Sequence, residues 1–359
     1  MNTFLIILII LFIFANYIVF VTLKKTLAVK KNVFTDYAAI SVIVAAKNEG
    51  QNIPSLLKAL SSQNYPADKY EVIIVDDNSE DNTYSVAKES AKQHPAYSIY
   101  KAESKKYAGK KGALEYGISK ANYTNILITD ADCQPSGEWI AYFAGKFSEG
   151  YDIVFGYAPF FMNNSLINHI SCFENLRAAF LTFTAAETGF PYSAAARSFG
   201  FKKLSFEKIE GYKNTTETLG GDDDLLIREA VKNKMKIGTV MSKEAFVYSN
   251  SVNSLKDYLR QKSRHTKTSV HYLLSRQVML AIWHGLNLFF LLSPLLAFIY
   301  PGFVSLFITK LILDFVLVSS FSGKFAYCFR VFERVYLQFI YEFFIIINFF
   351  NAAVSKDKW

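Results

Sequence analysis

The chain has 359 residues, room for two domains at roughly 150 residues each, and its 39 Lys and Arg against 31 Asp and Glu give a net charge of +8. That balance excludes an acidic solvating chain and leaves nucleic acid, anionic lipid and phosphorylated substrates as partner classes. Hydrophobic residues make up 51% and aromatics 16% of the chain, which excludes intrinsic disorder and collagen-like repeats.

The apolar residues are clustered. Asn2 to Leu23 carries no charge and is long enough to cross a hydrocarbon layer of about 30 Å at 1.5 Å per residue. Lys24, Lys25, Lys30 and Lys31 follow it. A cleaved signal peptide carries its positive charge before the apolar stretch and small residues after it, so this segment reads as an uncleaved anchor. Its basic flank predicts residues from 24 onward in the cytoplasm.

A section of one-domain size, Lys24 to Arg276, begins with alternating strands and helices. Ile40 to Ala46 and Glu71 to Val75 are apolar runs of the kind buried in a parallel sheet. The first is followed by a helix over Asn52 to Leu60, with Pro54 near its start, and the second by Asp76-Asp77-Asn78-Ser79 and a helix over Asp81 to Gln93. Tyr97 to Lys101 reads as a third strand, Lys111 to Ala121 as a helix, and Asn125 to Thr129 as a fourth strand ending in Asp130-Ala131-Asp132. The pattern predicts a doubly wound α/β sheet, which binds its ligands beyond the carboxyl ends of its strands; the acidic clusters fall at those ends.

Leu166, Ile170, Phe173, Leu176 and Phe180 form an apolar stripe at near-helical spacing within Phe160 to Phe190. That stripe is either core or a helix lying along a membrane surface. Downstream, Gln277 to Thr309 is free of charge and holds one span over about Leu280 to Tyr300, with Pro301-Gly302 as a turn. Phe303 to Phe321 is interrupted only by Lys310 and Asp314, and Val335 to Val354 only by Glu342. Two to three membrane spans are therefore expected in residues 277–359, the last of them spanning or interfacial, behind an anchor at 1–23 and a domain at 24–276. Lys324, Arg330 and Arg334 place the last connector in the cytoplasm. Cys133, Cys172 and Cys328 are too few and too scattered for a disulfide framework or a zinc site.

Neither G-x-G-x-x-G nor G-x-x-x-x-G-K-[ST] occurs, which counts against a classical dinucleotide enzyme and a P-loop. Asp130 and Asp132, two carboxylates after a strand, can offer oxygen ligands to Mg²⁺ or Mn²⁺, hard cations that bridge carboxylates to substrate phosphates. Lys110 and Lys111, ahead of a helix, are either a solvated face or point charges for phosphate.

Taken together these segments resemble the membrane-bound glycosyltransferase family 2 enzymes of GT-A fold. The resemblance covers about Ala39 to Lys267 and runs through Ala45-Ala46-Lys47-Asn48-Glu49, Val75-Asp76-Asp77-Asn78-Ser79 and Gly109-Lys110-Lys111-Gly112-Ala113-Leu114. It continues through Thr129-Asp130-Ala131-Asp132, Gly221-Asp222-Asp223-Asp224-Leu225-Leu226 and Gln261-Lys262-Ser263-Arg264-His265. It implies an inverting, metal-dependent transfer from a nucleotide-diphosphate sugar, foremost a UDP-sugar, to a lipid-linked or membrane-associated glycan. Ala45, Glu49 and Asp77 then match nucleoside-binding positions, Lys110 or Lys111 the basic position near the donor, and Asp130 and Asp132 the nucleotide- and metal-binding pair. Asp223 matches the general base, with Asp222 the alternative, since three consecutive acids leave the register open by one; three acids after two glycines also suit a helix start.

Gln261 and Arg264 correspond to the family's Q-x-x-R-W motif beside the donor diphosphate, with His265 in place of Trp. The same stretch also reads as a juxtamembrane basic segment on anionic lipid. Losing that aromatic platform weakens the case for a processive polysaccharide synthase, the runner-up. Ala196 to Lys203 partly resembles the segment that precedes the catalytic acid. The resemblance thus implies an integral membrane enzyme, its catalytic domain on the cytoplasmic side of a membrane such as a bacterial inner membrane. A catalytically silent nucleotide-sugar-binding subunit would require lost acidic positions, and all are present. The net charge agrees: Lys24 to Lys31, Lys101 to Lys111 and Lys256 to Lys267 each carry +4, leaving −4 elsewhere. Two of these stretches flank spans and one leads into the proposed phosphate site; none interleaves bases with aromatics as nucleic-acid grooves do.

Overall fold

The computed structural model describes residues 2–28, 37–92 and 94–354. Lys30, Lys31 and Gln93, used above for the anchor's flank and a helix end, lie outside the described residues. In chain order the elements are α1 (Asn2–Thr26), β1 (Ile40–Ala46), α2 (Ile53–Ser61), β2 (Tyr70–Asp76), α3 (Thr83–Ala91), β3 (Tyr97–Lys101), α4 (Gly109–Lys120) and β4 (Asn125–Asp130). There follow β5 (Cys133–Pro135), α5 (Trp139–Ser148), β6 (Ile153–Gly156), α6 (Leu166–Glu187), β7 (Phe199–Lys202), α7 (Lys203–Lys208), α8 (Asp224–Lys232), β8 (Ile237–Val240) and β9 (Val247–Ser249). The chain closes with α9 (Leu255–Ser269), α10 (Leu274–Leu292), α11 (Val304–Phe321) and α12 (Val331–Val354). The described residues form two compact units, one of 37–161 and 191–251 and the other of 2–28, 162–190 and 252–354.

The first unit is an α/β fold on a seven-stranded sheet of order β3-β2-β1-β4-β7-β6-β8. Strands β1 to β4 pair in parallel, while β7 runs antiparallel between β4 and β6. The short β5 and β9 pair antiparallel in a second sheet. The sequence pattern showed the parallel half; the antiparallel β7 is a four-residue strand, too short to leave a period of its own.

Strands β1 and β2 are continuous apolar runs because helices cover both faces. Val42, Val44, Val72 and Ile74 join Ile53, Leu56, Leu57 and Leu60 of α2 in the core. On the other face α4 approaches so closely that a Cβ at Gly117 would lie 2.6 Å from Ile43 and 3.0 Å from Val75, so glycine is required there. Register aligns Ala45 with Val75 and Asp130, and Ala46 with Asp76, which brings the carboxyl ends of the strands to one edge.

The second unit is helical. Four of its helical stretches, Asn2–Thr26, Leu274–Leu296, Pro301–Phe325 and Val331–Ala352, are long and apolar enough to cross a membrane. Phe12 of α1 stacks on Phe290 of α10 at 4.2 Å. Helix α6 belongs here: Ile170, Phe173, Leu176 and Phe180 of its stripe are buried, while Leu166 is exposed. Glu174 of α6 holds Lys262 of α9 at 3.2 Å and accepts from the Tyr258 hydroxyl, and Tyr258 meets Phe344 of α12 edge-on.

Charges lie inside this bundle. Lys310 is fully buried and donates to Asn287 Oδ1 at 2.8 Å, Asp314 Oδ2 at 2.8 Å and Glu342 Oε1 at 2.9 Å. Arg177 of α6 pairs with Asp314 at 2.8 Å and lies against the Tyr341 ring. The two cations and two anions balance, as charges removed from water must.

Candidate active site

Two loops leave the sheet edge side by side. After β1 the chain turns at Asn48 (φ 57°) and after β2 at Asn78 (φ 53°), left-handed positions that Asn tolerates better than most residues. The loops are sewn together: the Glu80 N–H donates to Asn48 Oδ1 at 2.8 Å and the Glu49 N–H to Thr83 Oγ1 at 2.7 Å. Glu49 is thereby held near Asp130 and Asp132. Its pKa is raised, first by burial and further by those two carboxylates, against the lowering bond from Asn52.

Asp77 is buried and accepts from Lys105 Nζ, a partner the sequence reading had not named although Lys105 stands in the basic run. Asp76, also buried, has one oxygen without a hydrogen-bond partner among the described residues. An open acceptor at a strand end is suited to a ligand hydroxyl or amide, and motif matching had favoured Asp77 over it. Ala45, at the end of β1, is half-buried.

The two adjacent lysines of α4 part company, since successive helix residues diverge by about 100°. Lys110 Nζ bridges Asp130 Oδ1 and Asp222 Oδ2, at 2.7 Å each. Burial disfavours its charge, but the two carboxylates prevail and hold its pKa well above the ordinary lysine value. Lys111 is only 2% exposed and turns inward, donating to the carbonyls of Thr215 and Thr218. Burial lowers its pKa.

The three acids at the start of α8 have three different duties. Asp222 faces Lys110, which keeps it below the ordinary aspartate value although burial works the other way. Asp223 caps α8: its Oδ1 accepts from the Asp224 N–H at 2.7 Å and its Oδ2 from the Ala196 N–H at 2.6 Å. Burial, then Asp224 and Asp222, push its pKa well up, while the hydrogen bonds fix its orientation. Asp224 is buried and accepts from Ser193 Oγ at 2.7 Å and the Ala194 N–H at 3.1 Å, so it ties the 193–196 segment to α8. Ser193 had no motif signal and Ala196 only a partial one, as the first residue of the segment likened to that before the catalytic acid; only the fold brings its backbone amide, 27 residues upstream, to Asp223.

Asp130, Asp132 and Cys133 bring one potential ligand atom each within 4.8 Å of one another. Cys133 is buried, and burial followed by Asp132 and Asp130 drives its pKa well above the ordinary thiol value. A neutral thiol is a poor ligand for a hard cation. The remaining donors, two carboxylates, fit Mg²⁺ or Mn²⁺, which are held by one or two carboxylates plus substrate phosphates. Arg197 closes the inner side: it donates to Ala158 O at 2.8 Å and to Ser249 Oγ, and lies 4.4 Å from the Phe160 ring centre. Gln261, Arg264 and His265 lie on α9 in the helical unit, with Arg264 and His265 exposed.

Carboxylates thus gather at the carboxyl edge of a mainly parallel sheet, with Lys110 between two of them. Residues 41–205 match the family described as Glycosyl transferase family 2, and over that segment the chain is similar to it. It is 32% identical over 122 residues to the glycosyltransferase AglE of Haloferax volcanii, covering 34% of this chain and 40% of that protein. It is 40% identical over 99 residues to the dolichyl-phosphate beta-glucosyltransferase of Drosophila melanogaster, covering 26% and 30%. The matched segments thus span two fifths or less of these relatives. A mannosyltransferase of Pyrobaculum calidifontis, solved with GDP-mannose and Mn²⁺, superposes with a TM-score of 0.57 at 18% identity, over 98% of this chain and all of that one. At that identity the likeness is one of fold.

Proposed function

We propose that the chain transfers a sugar, with inversion, from a nucleotide-diphosphate sugar to a lipid-linked acceptor. The observation that carries this reading is Lys110 bridging Asp130 and Asp222, beside a rigidly held Asp223 of raised pKa. A carboxylate fixed in this way can accept a proton from a substrate hydroxyl. The acceptor hydroxyl oxygen attacks the anomeric carbon as its proton passes to Asp223. The bond from that carbon to the diphosphate oxygen breaks in the same displacement, and the configuration inverts. Lys110 meets charge gathering on the diphosphate. Asp130 and Asp132 would hold Mg²⁺ or Mn²⁺, which supplies further neutralisation of the leaving group.

Glu49, Asp76, Asp77 and Ala45 would receive the nucleoside, with the open oxygen of Asp76 the acceptor for its hydroxyl or amide. UDP-sugars are the first donors to test. Gln261 and Arg264 are proposed diphosphate partners on the strength of their motif. The dolichyl-phosphate enzyme among the relatives supports a lipid acceptor. Residues 24–276 would be the catalytic domain, with membrane segments at 1–23 and 277–359. The basic residues Lys24, Lys25, Lys324, Arg330 and Arg334 beside the spans support a cytoplasmic placement.

The test is release of nucleoside diphosphate by the full chain in detergent. UDP-glucose, UDP-N-acetylglucosamine and GDP-mannose are each supplied with Mn²⁺ or Mg²⁺ and with diacylglycerol or a lipid-linked glycan, acceptors that carry a hydroxyl. Asp223→Asn keeps the size of the base and removes its function, at an expected cost of about 10²- to 10⁴-fold in kcat. Equal turnover by wild type and Asp223→Asn with every donor would sink the proposal.

A further inference from the structure

We infer that Lys111 is a positioning residue that sets the place of Asp222 and Asp223 from below, and is not a donor-binding residue. The inference rests on the reading of Asp223 as the base. The segment between α7 and α8 has little regular structure of its own, only a 3-10 turn at Lys213–Thr215. It ends at Gly221, directly before the acids.

Two buried cations hold this segment. Lys111 Nζ takes the carbonyls of Thr215 and of Thr218, the latter at 3.0 Å. From α8, Arg228 takes the Asn214 carbonyl and the Glu217 carboxylate, the latter at 2.8 Å. The carbonyls of 214, 215 and 218 are thus turned towards cations, an arrangement that an apolar side chain at 111 could not support. An ammonium has three donors, and Lys111 spends two of them on this backbone. Lys110, one residue earlier, grips Asp222 at the far end of the same segment. The first turn of α4 therefore holds the loop at two points.

Removing the ammonium leaves two buried carbonyls without a donor, and buried groups in that state draw the backbone towards water. Asp222 and Asp223 stand at the end of this loop, so its shift pulls against their bonds from Lys110 and the Ala196 N–H, whereas Glu49, Asp77, Asp130 and Asp132 lie on other elements. A displacement of about 1 Å in a reacting group costs on the order of 10²-fold in rate. The expected signature in Lys111→Met is therefore a kcat lower by about 10²-fold, with the KM for the donor and the affinity for UDP or GDP within about twofold of wild type.

The experiment uses the full chain in detergent, with whichever of UDP-glucose, UDP-N-acetylglucosamine and GDP-mannose wild type turns over. Hydrogen exchange of peptides from 210–225 is measured in parallel, and should quicken in Lys111→Met while β1, β2 and β4 stay protected. Lys111→Ala should regain activity when propylammonium is added, and the neutral 1-propanol should not restore it. If Lys111→Met does not fold, Lys111→Ala prepared in propylammonium and then dialysed carries the same comparison. A donor KM raised with kcat preserved, unchanged exchange in 210–225, or equal rescue by 1-propanol would each overturn the inference. Asp223→Asn run alongside separates the two claims: full activity there refutes the base assignment, while a dead Asp223→Asn beside a fully active Lys111→Met refutes the positioning role alone.

Discussion

Lys110 sits where a divalent cation's charge is wanted, and this gives a prediction of unusual sign. Its ammonium lies 2.7 Å from Asp130 Oδ1, on one of the two carboxylates suited to the metal. Charges of +2 and +1 about 4 Å apart repel by roughly 8 kcal/mol at an effective dielectric near 20, and by roughly 2 kcal/mol in bulk water. The side chain is only 17% exposed, so the bulk-water figure is a floor. At about 1.36 kcal/mol per decade, Lys110→Met should bind Mn²⁺ in the absence of nucleotide at least about 30-fold more tightly than wild type. The same substitution removes a partner of the diphosphate, so UDP or GDP should bind more weakly at saturating Mn²⁺. Titration of free Mn²⁺ by electron paramagnetic resonance on the detergent-solubilised protein reads the first effect, and calorimetry the second. Mn²⁺ affinity unchanged or weaker in Lys110→Met, in protein whose melting temperature shows it folded, would refute the placement of Lys110 between the acids.

Further outcomes follow from the same site and from the bundle. Because Asp223 must be ionised to act and its folded pKa is raised, the acidic limb of kcat against pH should lie above the ordinary carboxylate value of about 4. The linked stability runs the opposite way. Asp223's contribution is fully present below its unfolded value of about 3.9 and is lost as pH rises through the folded value, so the melting temperature of wild type should fall relative to Asp223→Asn across that window. Gly112→Ala would place a Cβ 2.0 Å from the Tyr107 carbonyl oxygen. The forced shift of the 105–107 loop, and of the Lys105 grip on Asp77, should raise the donor KM and cost about 1–3 kcal/mol of stability. Lys310→Met leaves Glu342 without its cation and Asp314 with Arg177 alone, and should destabilise the helical unit by about 3–5 kcal/mol, read as a lower melting temperature in detergent.

Much of the architecture was legible because it depends on local patterns. The apolar runs of β1, β2 and β4 and the acids at their ends needed only hydropathy and order. The uninterrupted stretches gave the long helices, and three of these follow residue 273. What the sequence did not disclose depends on side-chain direction and on distant backbone. Lys110 and Lys111 are chemically identical neighbours, and only the helix phase sends one to the carboxylates and the other into the core. Asp222, Asp223 and Asp224 differ in environment, not in type, and their separation relies on Lys110, the Ala196 amide and Ser193 arriving from remote segments. The stripe of α6 gave a helix correctly but not its neighbours, since apolar periodicity is the same in a soluble core and in a bundle of long apolar helices.

The balanced charges around Lys310 also constrain how the chain can be made. A Lys or Asp at the centre of a span raises the cost of insertion by about 2.5–3.5 kcal/mol each, and α11 carries both Lys310 and Asp314. Their contact one helical turn apart offsets part of this, but the remaining partners, Asn287 and Glu342, arrive on the helices before and after. Helix α11 is therefore a poor solitary guest of the bilayer. Its insertion would cost less alongside the helices before and after it, which bring Asn287 and Glu342 to Lys310.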